Sequence, residues 1–549
     1  MSKPILEITL DFPARPATLP VLDISPAATP CRFRLIDCVK YLRHRTLSIC
    51  EFTEFPVPNC AYTAISYVWR GNSVDDESTL GPVFSVAGAE DGDPVSVNVL
   101  THACTAALRE KTNYIWLDRL CIIQTSKDDK QWQIRRMFEI YQRCALCLVF
   151  PGGIQRLVHI HEHTTWINRG WTLQEALAPP RVDVIHAWNL GGGMFYGAFR
   201  GYITELVPGE SAMTPLRTML SLNNFGLTNF FPTNATIRHV TFHAELFGPH
   251  DSDSSGTQTV AEQTTRAVVF MLKEALTEGT FDERAPAIWR SALFRTSSRP
   301  VDMVFSIMGL FGVTLDVRRF SRDDRLRATI ALMQEILRQG GRASWLGLAP
   351  YLPVNPMLSA IPIFPRTRVE GDVLLEVDRE SGIRPTPQHL RSALLDTRRI
   401  RMPTGSMDDA GYLTISRNAI RVYPQLDPQA TFLNETDDFR WETYSASLPR
   451  HRLNFRAIDH TGWRFYEDMD AVHDSPTAFA VLLGWFNKFS EQGVWDGPRH
   501  IAALLIKEHA PDKFHVNSYF ELPENLELWV EGWDEHTFRI GGPLAASHS

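Results

Sequence analysis

No window of 18 residues in the 549-residue chain is apolar and free of charge, which excludes a helical membrane span. The first thirty residues lack the unbroken apolar stretch of a secretory signal, since Asp11, Pro13, Pro16 and Pro20 interrupt them. Basic residues are not in excess either: 55 Lys and Arg stand against 63 Asp and Glu, for a formal charge of -8. Such a balance offers no footprint for a phosphate backbone, so nucleic acid is not an expected partner. Cysteine is missing beyond position 147, and Cys31, Cys38, Cys50, Cys60, Cys104, Cys121, Cys144 and Cys147 sit largely in apolar runs. Reduced core thiols in a cytoplasmic protein are the expectation.

Catalytic signatures are equally sparse. There is no G-x-x-x-x-G-K-[ST] loop and no G-x-S-x-G elbow, and Gly191-Gly192-Gly193 lacks dinucleotide-fingerprint spacing. Cys144-x-x-Cys147 has no second ligand pair at finger spacing, and His161-Glu162-His163 is not H-E-x-x-H, so no metal site is expected.

What is present is a well-cored composition, 44% hydrophobic and 21% charged, long enough for two or three domains. From Tyr62 onward, apolar runs at 62–69, 114–118, 145–150 and 182–188 alternate with helical patterns at 98–111, 128–143 and 168–177. That alternation predicts parallel β/α units. Leu100, Ala103, Cys104, Ala107 and Leu108 line one face of the first helix, and Ser126, Asp128 and Asp129 are candidate caps for the second. Helical patterns at 259–276 and 323–337 predict a helical middle region over 191–345. Residues 239–247 read as a strand or a loop closure, and 251–256 as a polar turn. Short apolar runs at 479–485, 500–506 and 526–530 predict a β-rich region over 346–549.

Three segments recur in fixed order: Ala64-Ile65-Ser66-Tyr67-Val68-Trp69, then Ile115-Trp116-Leu117-Asp118-Arg119-Leu120-Cys121-Ile122-Ile123-Gln124, then Arg169-Gly170-Trp171-Thr172-Leu173-Gln174-Glu175. Together with Gln133, Met137, Ile140 and Tyr141 on the intervening helix, they resemble the motifs of fungal heterokaryon-incompatibility (HET) domains. A looser resemblance continues through Trp289, Arg295, Pro300, Asp302 and Gly309-Leu310. Two positions depart from the pattern: Ile123 stands where the family has Asn, and Arg70 is inserted before Gly71.

The resemblance implies an extension over 1–30 and a HET domain over 31–190. HET domains are in turn similar to Toll/interleukin receptor (TIR) domains, which implies an α/β fold with a flavodoxin-like parallel sheet flanked by helices. It also implies a self/non-self recognition protein that triggers cell death, acts by self-association and answers to a protein trigger. By analogy with enzymatic TIR domains, NAD becomes the expected substrate, with no bound cofactor. Glu175 is then the catalytic candidate, its carboxylate stabilising a ribosyl cation. Ser66, Tyr67, Trp69, Asp118, Arg119, Gln124 and Trp171 are the binding candidates, near strand ends where open α/β sheets take ligands. Arg119 and Gln124 are read as phosphate contacts or as solvated surface, and Glu175 as catalytic or as the partner of Arg169 or a neighbouring arginine. Two alternatives stay open, a non-catalytic docking module and a small-molecule enzyme built on the last two thirds of the chain.

Overall fold

The computed structural model describes residues 3–10, 19–57, 60–74, 81–196, 200–224, 227–233, 239–248, 260–277, 279–348, 358–360, 364, 366–367, 373–374, 393–395, 400–435, 453–465, 477–488 and 500–543. They divide into two compact units, one of Met1–Leu276, Phe294–Asp323 and Thr367–Asp372, the other of Thr277–Leu293, Asp324–Arg366 and Val373–Ser549. The expected turn at 251–256 lies outside the described residues.

The first unit is built on a mixed sheet. Its strands are β1 (Lys3–Thr9), β3 (Phe33–Asp37), β4 (Thr46–Phe52), β5 (Tyr62–Tyr67), β8 (Tyr114–Trp116), β9 (Leu146–Phe150), β10 (Val182–Ala187), β11 (Gly193–Tyr196), β12 (Arg200–Val207), β13 (Ser211–Pro215), β14 (Thr228–Pro232) and β15 (Val240–Phe242). They lie in the order β1-β4-β3-β8-β5-β9-β10-β13-β12-β11-β14-β15. Three short strands, β2 (Val21–Leu22), β6 (Val83–Val86) and β7 (Val95–Ser96), pair separately. Only the central block β8-β5-β9-β10 is parallel. Antiparallel strands continue it on both sides, so the expectation of a parallel sheet holds for the centre and is corrected for the flanks.

Helices α1 (Cys38–His44), α2 (Val97–Arg109), α3 (Asp118–Cys121), α4 (Lys127–Arg143) and α5 (Gly170–Leu177) surround that block. Ser96 caps α2 through the Val99 N–H at 3.3 Å, and Ser126 caps α4 through the Asp129 N–H at 3.2 Å. Right-handed crossovers put α2 on one face and α4 and α5 on the other. Side-chain parity along β5 agrees: Thr63 bonds Thr112, just past α2, at 2.6 Å, whereas Tyr62 donates to the Ile140 carbonyl on α4 at 2.6 Å. Tyr141 adds a second tie from α4, its hydroxyl donating to the Ile65 carbonyl at 2.9 Å.

Strands β11 to β14 correct the expected helical character of the residues just after 190. Helices do follow at Val260–Ala275, Phe281–Leu293, Asp302–Met308 and Arg325–Arg338. In the second unit, strands Ala478–Lys488, His500–Ala510, Lys513–Pro523, Glu535–Gly541 and Tyr412–Pro424 pair in sequence, and the last pairs back onto the first. This closed ring leaves none of the five with two bare edges, and Val422, Leu505 and Phe520 of the ring share a buried core cluster with Phe455 and Phe465. The β-rich expectation is met there, except that the run at 526–530 is helical, as Glu527–Glu531.

Candidate functional site

The motif residues converge where β5, β8 and β9 end. Ser66, the penultimate residue of β5, is fully buried and donates its hydroxyl to the Glu175 carboxylate on α5. The same oxygen accepts the Trp166 indole N–H at 2.8 Å. Tyr67 points the other way and donates to Asp118 Oδ1 at 2.6 Å, and that carboxylate oxygen also accepts the Arg119 N–H at 2.6 Å. Asp118 therefore opens α3 and organises the loop that follows.

Arg119 and Gln124 do not lie on a solvated surface. Arg119 is 1% exposed; it lies 4.2 Å from the Trp69 ring centroid and 5.6 Å from that of Tyr67, and donates to the carbonyls of Asp93 and Trp69. Gln124 is 8% exposed and donates to the Asp118 carbonyl at 2.9 Å. Neither guanidinium nor amide faces solvent, because Arg119 satisfies carbonyls of the segment after β5 and Gln124 satisfies one within its own loop. Trp69, stacked on Tyr67 with centroids 6.5 Å apart, donates its indole N–H to Asp91 at 3.1 Å.

The two departures from the family pattern have physical readings. Ile123 is buried in the core, and its N–H is held by Asp129 Oδ2 at 2.8 Å. Asp129 is itself buried against Arg34 at 3.1 Å, so position 123 faces inward and not toward the strand ends. Arg70 is exposed, and its Nε donates to the Asp91 carbonyl at 2.7 Å. Gly71 then crosses so close to the 150s loop that a Cβ would lie 1.8 Å from the Gly152 oxygen.

Electrostatics single out Glu175. Burial pushes its pKa up to about 8, with the neighbouring Asp118 charge in the same direction, while the Ser66 hydrogen bond and the charges of Arg295 and Arg169 oppose it. Burial also raises Asp118, against the Tyr67 hydrogen bond and Arg119. The expected ion pair between Glu175 and Arg169 is absent as a direct contact among the described ion pairs, and Arg169 acts only through its field.

Support for α5 comes from a segment the sequence flagged only loosely. Residues 168–170 pair with Thr296, whose N–H donates to the Asn168 carbonyl at 2.6 Å and whose carbonyl accepts the Gly170 N–H at 2.8 Å. Arg295, fully buried, donates to Thr172 Oγ1 at 2.7 Å and to the Arg169 carbonyl at 3.0 Å. Burial lowers its pKa to about 9, against the field of Glu175. Trp171 donates to Asp302 at 3.4 Å, and burial holds the Asp302 carboxyl near 6. Trp166, Arg295 and Asp302 are thus site neighbours that the sequence reading did not assign. The signal for the last two was their place in the loose stretch after the domain; nothing marked Trp166.

All eight cysteines are free, and no group of three or more metal-ligating side chains forms among the described residues. Glu162 pairs with Arg156 at 2.6 Å and accepts the His159 N–H at 2.7 Å, which removes it from any His161/His163 constellation. No helix of the described residues is long and apolar enough to cross a membrane.

The family model described as heterokaryon incompatibility protein (HET) matches residues 62–156. A 135-residue stretch is 27% identical to the vegetative incompatibility protein HET-E-1 of Podospora anserina, covering 22% of this chain and 9% of that relative. No solved structure matches the chain. The strand ends that gather Ser66, Tyr67 and Asp118 lie within the matched residues, so the similarity to HET proteins falls on the candidate site.

Proposed function

We propose that this protein acts in heterokaryon incompatibility, and that its HET unit carries out TIR-like cleavage of NAD at the nicotinamide-ribose bond. The observation that carries the reading is Glu175, a carboxyl held by Ser66 at the end of β5 and kept partly protonated by its surroundings. The central parallel strands support it. Counted along the chain they run second, first, third, fourth, the order that opens a flavodoxin-type sheet, and the switch point falls between β5 and β9 beside Ser66 and Tyr67.

In the proposed step the glycosidic C–N bond breaks, and its electron pair leaves with nicotinamide, which becomes neutral. The Glu175 carboxylate stabilises the positive charge left on the ribose, and water adds at that carbon, releasing a proton with ADP-ribose. A cationic nicotinamide ring beside Glu175 favours the ionised form, so substrate binding itself draws the proton off. Trp171, Trp69 and Tyr67 are the proposed walls for the rings. Self-association is the proposed trigger. Nicotinamide release by the full-length protein, compared with Glu175→Gln, tests the reading.

A non-catalytic docking module is the second reading. It is favoured by the engagement of Arg119 with carbonyl oxygens, which removes the expected contact to the diphosphate.

A further inference from the structure

The second unit holds a recess of about 400 Å³ that none of the motif residues reaches. Its floor is the ladder formed by strand Gly405–Met407, residues Thr414–Arg417 and residues 535–537, with Ser406 opposite Thr414 and Ser416 opposite Thr537. Its rim is Arg342 and residues 401–404.

Three arginines line it, Arg342, Arg401 and Arg417, against one lining carboxylate, Glu535. Arg342 is drawn partly aside, with Nε 3.5 Å from Asp282 and Nη1 donating to the Met402 carbonyl at 2.9 Å. Arg417 donates one Nη to the Arg401 carbonyl, and its buried Nε has no hydrogen-bond partner among the described residues. Burial pulls the Arg417 pKa down to about 10, and the like charge of Arg342 adds to that, against the weaker pull of Glu535. Two arginines that line one recess and whose like charges act on each other cost free energy that an anion placed between them removes. Guanidinium forks match phosphate oxygens bidentately, and the hydroxyls of Thr404, Ser406 and Thr414 suit the body of a hydroxylated ligand. The volume falls within the range of small-molecule sites.

We infer that this recess binds a small phosphate monoester with a hydroxylated body, its phosphate seated among Arg342, Arg401 and Arg417. The inference does not depend on NAD cleavage by the HET unit. Glu535 then faces the ligand's hydroxyl side and disfavours a second anionic group.

The test is calorimetric titration of the full-length protein with ribose 5-phosphate, inorganic phosphate and ribose at fixed ionic strength. Saturable binding of ribose 5-phosphate, weaker binding of inorganic phosphate and none of ribose are expected. Arg401→Gln, at an exposed position that leaves the fold intact, is expected to weaken ribose 5-phosphate about tenfold, and Arg417→Gln at least as much. Glu535→Gln should tighten inorganic phosphate, while Lys513→Gln, which does not line the recess, leaves binding unchanged. Absence of saturable binding by either phosphate, or affinity unchanged in Arg401→Gln, overturns the inference. Equal losses in Arg401→Gln and Lys513→Gln, which mark general charge attraction, overturn it as well.

Discussion

Glu175 keeps its proton in a pH range where an exposed glutamate has lost it, because its carboxyl is buried and feels the Asp118 charge, against the opposing hydrogen bond from Ser66. The sign of the consequence follows. A carboxyl whose folded pKa lies near 8 and whose ordinary value is 4.5 binds more protons in the folded state. Its contribution to stability is full below about 4.5 and is lost as pH rises through about 8. Denaturant titrations from pH 5 to 9 should show this alkaline loss in the native protein and a flatter profile in Glu175→Gln. If catalysis needs the carboxylate, kcat/KM for NAD cleavage should rise toward alkaline pH with an apparent pKa near 8.

A second residue-scale expectation concerns Asp129. It accepts from Arg34, from the Ile123 N–H and, at 2.5 Å, from the Cys31 N–H. Asp129→Ala leaves the fully buried Arg34 with Glu51 at 3.2 Å as its remaining carboxylate, beside the Cys121 and Thr29 carbonyls, and should cost about 3 to 5 kcal/mol in chemical denaturation. A loss under about 1 kcal/mol would show that the pair is dispensable. At this scale the sequence made Glu175 and Trp171 legible through their motif. It did not reveal that Glu175 meets Ser66, 109 positions away, or that Trp171 turns to Asp302, 131 positions away, because no local spacing encodes such pairs.

Among the elements, the parallel centre was readable and its borders were not. Buried strands such as Leu146–Phe150 are continuous apolar runs, and the helices between them carry clear 3.6-residue faces with serine caps. Strand Arg200–Val207 has no such mark: Arg200, Thr204 and Glu205 interrupt it, and only Ile203 and Leu206 are buried. The apolar run at 526–530 was ambiguous by length, and Glu527–Glu531 resolved it as one turn of helix. Two substitutions test how the elements are held. Ser126→Ala removes the α4 cap and should cost about 1 kcal/mol by thermal or denaturant melting. Gly71→Ala places a methyl against the Gly152 backbone and must displace the loop after β9 that borders the site, so it should impair folding or ligand binding far more than Ser126→Ala does. Melting indistinguishable from the native protein would refute the close approach.

For the whole molecule, the unit that carries the site does not end where the motifs end. Thr296 supplies backbone partners to residues 168 and 170, Arg295 braces Thr172, and Asp302 holds Trp171. A fragment of residues 1–190 has the complete motif set but none of these supports, so α5 loses its anchorage. Residues 1–323 restore them. Limited proteolysis should therefore find 1–323 resistant around α5 and 1–190 cleaved there. Equal resistance would mean that the segment after 294 merely rests on the remainder of the first unit.

The most direct measurement is nicotinamide release from NAD by full-length protein at concentrations that force association, beside Glu175→Gln at matched folding. Release by the native protein, abolished in Glu175→Gln and increasing from pH 6 to pH 8, is the expected result. No release at any pH, or release undiminished in Glu175→Gln, would contradict a catalytic role for the Ser66–Glu175 pair and leave the strand ends of β5 and β8 as a docking surface.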